Sequence, residues 1–279
     1  MKLSEISIRG TADEGRSPAR CRDRVLGNLL WPPKAPILAE SPTVSTRVET
    51  NDFFGTQPVS ITVNDAERVS GLFTLPDGAI ACYVLAHGAG AGMAHPFLGT
   101  VARGLAERGI ATMRYQFPYM EKGSKRPDSP KVAHAAVRAA VVEVARLVPN
   151  LPLFAGGKSF GGRMTSQAQA ESPLPAVRGL VFLGFPLHPP GQPSDERAKH
   201  LFDVQIPTLF LQGTRDEFAH LQLLGPLCKK LGSKATLRLF QDADHSFHVP
   251  ARSGRKDAEV IKELLEVTSE WMGKLIPTK

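Results

Sequence analysis

The feature that most constrains this chain is a rhythm that begins after Gly78. Strand-like segments rich in apolar residues at 80–86, 110–117, 153–155, 177–187, 208–211 and 235–240, the first of them unbroken, alternate with longer segments of helical character. A strand wetted on one face alternates apolar and polar residues. An unbroken run such as Ile80-Ala81-Cys82-Tyr83-Val84-Leu85-Ala86 therefore predicts a strand covered on both faces. Helices are predicted at 96–108, closed by Gly109, at 129–147, closed by Pro149, from the glycine segment at 155–163 to about 169, between 211 and 235, and at 257–272. Strand, helix, strand in this order implies right-handed crossovers and a mostly parallel sheet flanked by helices, an α/β fold whose functional groups gather at the carboxyl ends of the strands. Ahead of this region, 59–63 and 69–75 alternate across a short polar turn and predict an antiparallel hairpin. With 279 residues, 42% of them hydrophobic, the chain can bury one sizeable core, placed at residues 51–279. Residues 1–50 lack sustained periodicity, carry Pro32-Pro33, Pro36 and Pro42, and read as a poorly ordered extension.

The segment Ala155-Gly156-Gly157-Lys158-Ser159-Phe160-Gly161-Gly162-Arg163 admits two chemistries. A phosphate-cradling loop needs G-x-x-x-x-G-K-[ST], and the position of its first glycine holds Pro152, which has no N–H to donate. The nucleophile elbow G-x-S-x-G fits instead. Gly157 and Gly161 flank Ser159 two residues away on each side, an apolar strand precedes them and a helix-compatible segment follows.

An activated serine requires a general base and a carboxylate to orient it. Each is expected just beyond a later strand, in the order Ser, acid, His. Asp216 follows the run 208–211, and His245 follows the run 235–240. Glu217, Asp242 and Asp244 compete for the acid role, but Asp242 and Asp244 share the loop of His245 and read as caps. The developing oxyanion needs two backbone N–H groups. One is expected from Phe160, next to the nucleophile, and the other from Ala89, in the small-residue loop His87-Gly88-Ala89-Gly90-Ala91-Gly92. That loop is not a dinucleotide fingerprint, because Met93 stands where the third glycine would be. His87, Gly88, Lys158 and Tyr119 are the candidates for contacting substrate. Lys158 and Arg163 read equally as ion-pair partners of nearby carboxylates or as attractors of an anionic substrate.

Five segments in order, L-A-H-G-A-G-A-G-M-A-H-P-F, R-Y-Q-F-P-Y-M-E, G-G-K-S-F-G-G-R-M, Q-G-T-R-D-E-F and D-A-D-H-S-F, resemble the dienelactone-hydrolase-like branch of the α/β-hydrolase superfamily. Within it they are most similar to a group of predicted serine hydrolases with bacterial and animal members, among them a subunit of a chromatin complex. The resemblance covers 58–276 and implies the α/β-hydrolase fold with a Ser-His-Asp site at Ser159, Asp216 and His245. Dienelactone hydrolases proper use a cysteine nucleophile where this chain has Ser159, so their substrate does not carry over. The excursion at 189–205 is too short for a folded cap domain, which predicts an open site.

Composition narrows the partners. The net charge of +7 is scattered rather than gathered with aromatics, against nucleic-acid binding, and no run approaches the length that spans a bilayer. Arginines near the N-terminus are interrupted by Asp13, Glu14 and Asp23, unlike a transit peptide. Cys21, Cys82 and Cys228 form no CxxC pair, and no histidine pair has metal-ligand spacing. The expectation is a cytoplasmic monomer or homodimer without cofactor or metal, cleaving a small ester or thioester. A hydrolase-fold scaffold with little turnover and an enzyme acting on peptides or amides are the alternatives.

Overall fold

The computed structural model describes residues 54–276. The expected extension at 1–50 lies outside the described residues. One sheet of eight strands forms the frame: β1 (Gln57–Asn64), β2 (Glu67–Thr74), β3 (Ala81–Ala86), β4 (Ile110–Tyr115), β5 (Leu153–Lys158), β6 (Val177–Leu183), β7 (Thr208–Gly213) and β8 (Ala235–Phe240). Their spatial order is β1-β2-β4-β3-β5-β6-β7-β8. The hairpin β1-β2 joins the sheet antiparallel to β4, and every pair from β4 to β8 is parallel.

Helices α1 (Pro96–Ala106), α3 (Pro130–Leu147), α4 (Phe160–Glu171), α5 (Leu221–Leu231) and α6 (Asp257–Gly273) cover the two faces, and a single turn, α2 (Pro118–Glu121), follows β4. Strand β3 shows why its run has no polar break. Cys82, Val84 and Ala86 join the core beneath α3 and α4, while Ala81, Tyr83 and Leu85 join the core beneath α1 and α6. Burial of each large apolar side chain stabilises the fold by ~1.5–3 kcal/mol, so both registers of the strand are fixed. Close approach of α1 to α6 depends on Gly104, where a Cβ would collide with the Leu265 side chain.

Two expectations are corrected. The run 177–187 stops being strand at Leu183, because Gly184 turns the chain with φ +70°. Tyr119, expected to contact substrate, sits instead in α2, with Pro118 at the first helical position and the tyrosine inside the core. Between β6 and β7 the described chain holds only a 3-10 helix, Glu196–Asp203, and no cap domain.

Candidate active site

Three loops at the carboxyl ends of β5, β7 and β8 bring Ser159, Asp216 and His245 together. Ser159 sits between β5 and α4 with φ 50° and ψ −115°, a conformation that a side chain rarely adopts. The turn is tight because its neighbours lack side chains. At Gly157, φ is +150° and a Cβ would strike the Ala86 carbonyl oxygen; at Gly161 a Cβ would lie 2.6 Å from the His87 carbonyl oxygen. The hydroxyl of Ser159 is thereby held 2.9 Å from His245 Nε2.

His245 is oriented from its other nitrogen. Nδ1 lies 2.7 Å from Asp216 Oδ2, so the imidazole donates there and leaves Nε2 free to accept from Ser159. Asp216 is held in turn by the side-chain amide of Gln212, which donates to Oδ2, and by the Phe218 backbone N–H, which donates to Oδ1 at 2.8 Å. Phe218 also lays its ring against the imidazole, with centroids 4.3 Å apart. Burial pushes the His245 pKa below the usual imidazole value; the hydrogen bond to Asp216 opposes this shift, and the charge of Lys158 adds to it. A neutral imidazole able to accept a proton is the result.

Asp242 and Asp244 do not take the acid's place. Asp244 Oδ1 accepts from the backbone N–H groups of Ser246 and His248 and shapes the turn that carries His245. Among the described residues no group of three or more His, Cys, Asp or Glu side chains is arranged to hold a metal ion.

The loop after β3 faces the serine from the other side. Phe160 is the first residue of α4, so its N–H has no intrahelical acceptor. Ala89 borders Ser159 in both cavities that meet there. Gly88 lies against the Lys158 and Ser159 side chains and lines one of the cavities.

His87 and Tyr119 differ from expectation. His87 is fully buried; Nδ1 donates to the Gly88 carbonyl at 2.7 Å and Nε2 accepts from the Phe117 N–H at 3.1 Å. Burial lowers its pKa to about 4, so it stays neutral and pins the loop without facing the cleft. Tyr119 is buried too, and its hydroxyl accepts from the Gly90 N–H at 2.9 Å. Both are struts of the loop rather than surfaces for substrate.

Lys158 is divided. Its stem lines the cavity, but Nζ is buried without a hydrogen-bond partner, 5.9 Å from the centre of the Phe247 ring. Neither Lys158 nor Arg163 makes the expected ion pair among the described residues.

Ser159 lies where two cavities meet. One, of about 340 Å³, is lined by Phe160, Arg163, Met164, Pro186 and Arg197; the other, of about 310 Å³, by His95, Phe97, Leu98 and His245. Phe218 and Ala89 border both. Sequence reasoning missed Gln212, Phe218 and Arg197. Gln212 and Phe218 flank Asp216 within a stretch already singled out, whereas Arg197 lies in a connection with no periodic signal.

An eight-stranded, mostly parallel sheet with a serine on a strained strand-to-helix turn defines an α/β hydrolase. A family model described as an alpha/beta hydrolase domain matches residues 79–273, and the chain belongs to that family. Among solved structures, the chain is similar to a dienelactone hydrolase from Anabaena variabilis, with 22% identity over 80% of this chain and 99% of that one and a TM-score of 0.64. It is also similar to a serine hydrolase without lid from Xanthomonas campestris, at 22% identity over 80% and 96% with a TM-score of 0.62. An esterase from Pyrococcus furiosus matches at 15% identity over 81% and 95%, with a TM-score of 0.64. The resemblance carried by the five motifs thus extends to the fold. No helix among the described residues is long and apolar enough to cross a membrane.

Proposed function

We propose that the protein is a serine hydrolase cleaving carboxylic esters or thioesters through an acyl-enzyme on Ser159. The observation that carries this reading is the continuous chain from Asp216 through His245 to the Ser159 hydroxyl, at 2.7 and 2.9 Å. In the proposed cycle His245 Nε2 takes the hydroxyl proton as Oγ attacks the carbonyl carbon, and Asp216 stabilises the imidazolium through Nδ1–H. The oxyanion accepts from the N–H groups of Phe160 and Ala89. His245 then returns the proton to the departing alcohol or thiol. Water, deprotonated by the same imidazole, releases the acid and restores the serine. The lid-free serine hydrolase and the esterase among the structural neighbours agree with this class of chemistry.

The test is hydrolysis of a panel of short-chain p-nitrophenyl esters and acyl thioesters. Wild type should turn over at least one of them, and Ser159→Ala should lose ~10³-fold or more in kcat while retaining its circular dichroism spectrum and melting temperature. Equal turnover by the two proteins would refute the reading. No turnover across the panel would favour the scaffold alternative.

A further inference from the structure

Among the described residues the cavity on the α4 side of Ser159 is lined by two arginines and one aspartate, an excess of positive charge. Arg163 stands one helical turn beyond the serine, its N–H donating to the Ser159 carbonyl at 3.1 Å. Arg197 reaches the same cavity from the 3-10 helix Glu196–Asp203, which is tied to α4 by the 2.7 Å hydrogen bond between Ser166 and His200. Arg163 Nε is buried without a hydrogen-bond partner, and its guanidinium carbon lies 5.9 Å from the centre of the Phe160 ring. Among the described residues neither guanidinium has an ion pair with a carboxylate. Asp128 is the one carboxylate on the cavity wall, and its Oδ2 accepts from the Tyr119 N–H at 2.9 Å. Burial and then the charge of Arg197 lower the Arg163 pKa, a sign that the two guanidinium groups repel each other across the cavity. His200 is kept neutral, its pKa pulled to about 4 by burial and then by Arg163.

Two adjacent guanidinium groups, one with a buried unused donor, match the oxygens of a carboxylate or phosphate. We propose that this cavity is an anion-binding subsite for the acyl part of the substrate, so that the enzyme prefers esters whose acyl chain ends in a carboxylate or phosphate. The proposal rests on Ser159 as nucleophile. The acyl side is assigned because His245, which protonates the leaving group, lines only the opposite cavity, where Phe97 and Leu98 suit an apolar alcohol.

The experiment compares p-nitrophenyl hydrogen adipate with its neutral methyl ester, p-nitrophenyl methyl adipate, on wild type, Arg163→Gln and Arg197→Gln. Wild type should favour the anionic ester at least 10-fold in kcat/KM, mainly through KM, and the ratio should fall towards 1 in both variants. A wild-type ratio at or below 1, or a ratio that both variants retain, overturns the proposal. Calorimetric titration of adipate and of inorganic phosphate into Ser159→Ala reads the subsite without turnover. Saturable binding of either anion, weakened at least 10-fold when Arg163→Gln or Arg197→Gln is added, supports the subsite and tells carboxylate from phosphate. Binding of neither overturns it. Undiminished turnover by Ser159→Ala would instead refute the nucleophile, while the titration still reported on the arginines.

Discussion

At the scale of single residues, Lys158 is a buried cation beside His245 whose burial costs the fold stability. Burial pulls its pKa down to about 8, with Asp216 and Asp244 opposing the shift, against an ordinary value of 10.5. The folded amine binds its proton less tightly than the unfolded one, so below pH 8 the folded state carries a penalty of up to ~3 kcal/mol, relieved as pH rises from about 8 to 10.5. Lys158→Met should therefore raise the melting temperature at pH 7 by several degrees, with a gain that shrinks towards pH 10, as thermal unfolding at the two pH values would show. The same substitution removes a cation that holds the His245 pKa down. In the proposed mechanism activity requires neutral His245, so the acid limb of kcat/KM should move to higher pH in Lys158→Met; an unmoved limb would mean that Lys158 does not act on His245.

At the scale of elements, the elbow is the least tolerant part of the fold. Gly157→Ala adds a Cβ that collides with the Ala86 carbonyl at φ +150°, and Gly161→Ala crowds the His87 carbonyl. Each should cost on the order of 3 kcal/mol or more in denaturant unfolding or prevent folding, whereas Gly273→Ala, in open space at the end of α6, should change stability by less than ~0.5 kcal/mol. Elements whose apolar period spans several residues were legible in sequence: β3, β4 and β8 and the helices α1, α3 and α6 lie within a residue or two of expectation. The four-residue α2 is shorter than any period, and the end of β6 is set by the turn at Gly184 rather than by loss of apolar character. That Ser159, Asp216 and His245 come within hydrogen-bond reach of one another was legible because strand ends and chain order restrict where such residues can stand. His87 and Tyr119 were not, since sequence does not reveal that their polar atoms are spent on the Gly88, Phe117 and Gly90 backbone. Arg197 depends on the packing of a 3-10 helix against α4 and left no periodic mark.

At the scale of the whole described domain, the parallel sheet converts sequence order into spatial convergence. Neighbouring strands β5, β6, β7 and β8 end on one edge, so residues 86 positions apart, Ser159 and His245, meet at 2.9 Å. Among the described residues only a 3-10 helix stands between β6 and β7, and no cap domain covers the two cavities. The central claim is that this convergence activates one particular serine. Labelling with a fluorophosphonate probe, followed by mapping of the modified residue, tests it most directly. The account predicts covalent modification of wild type at Ser159, none in Ser159→Ala and strongly slowed modification in His245→Ala. A folded wild-type protein that resists the probe, or one that labels equally well after Ser159→Ala, would contradict it.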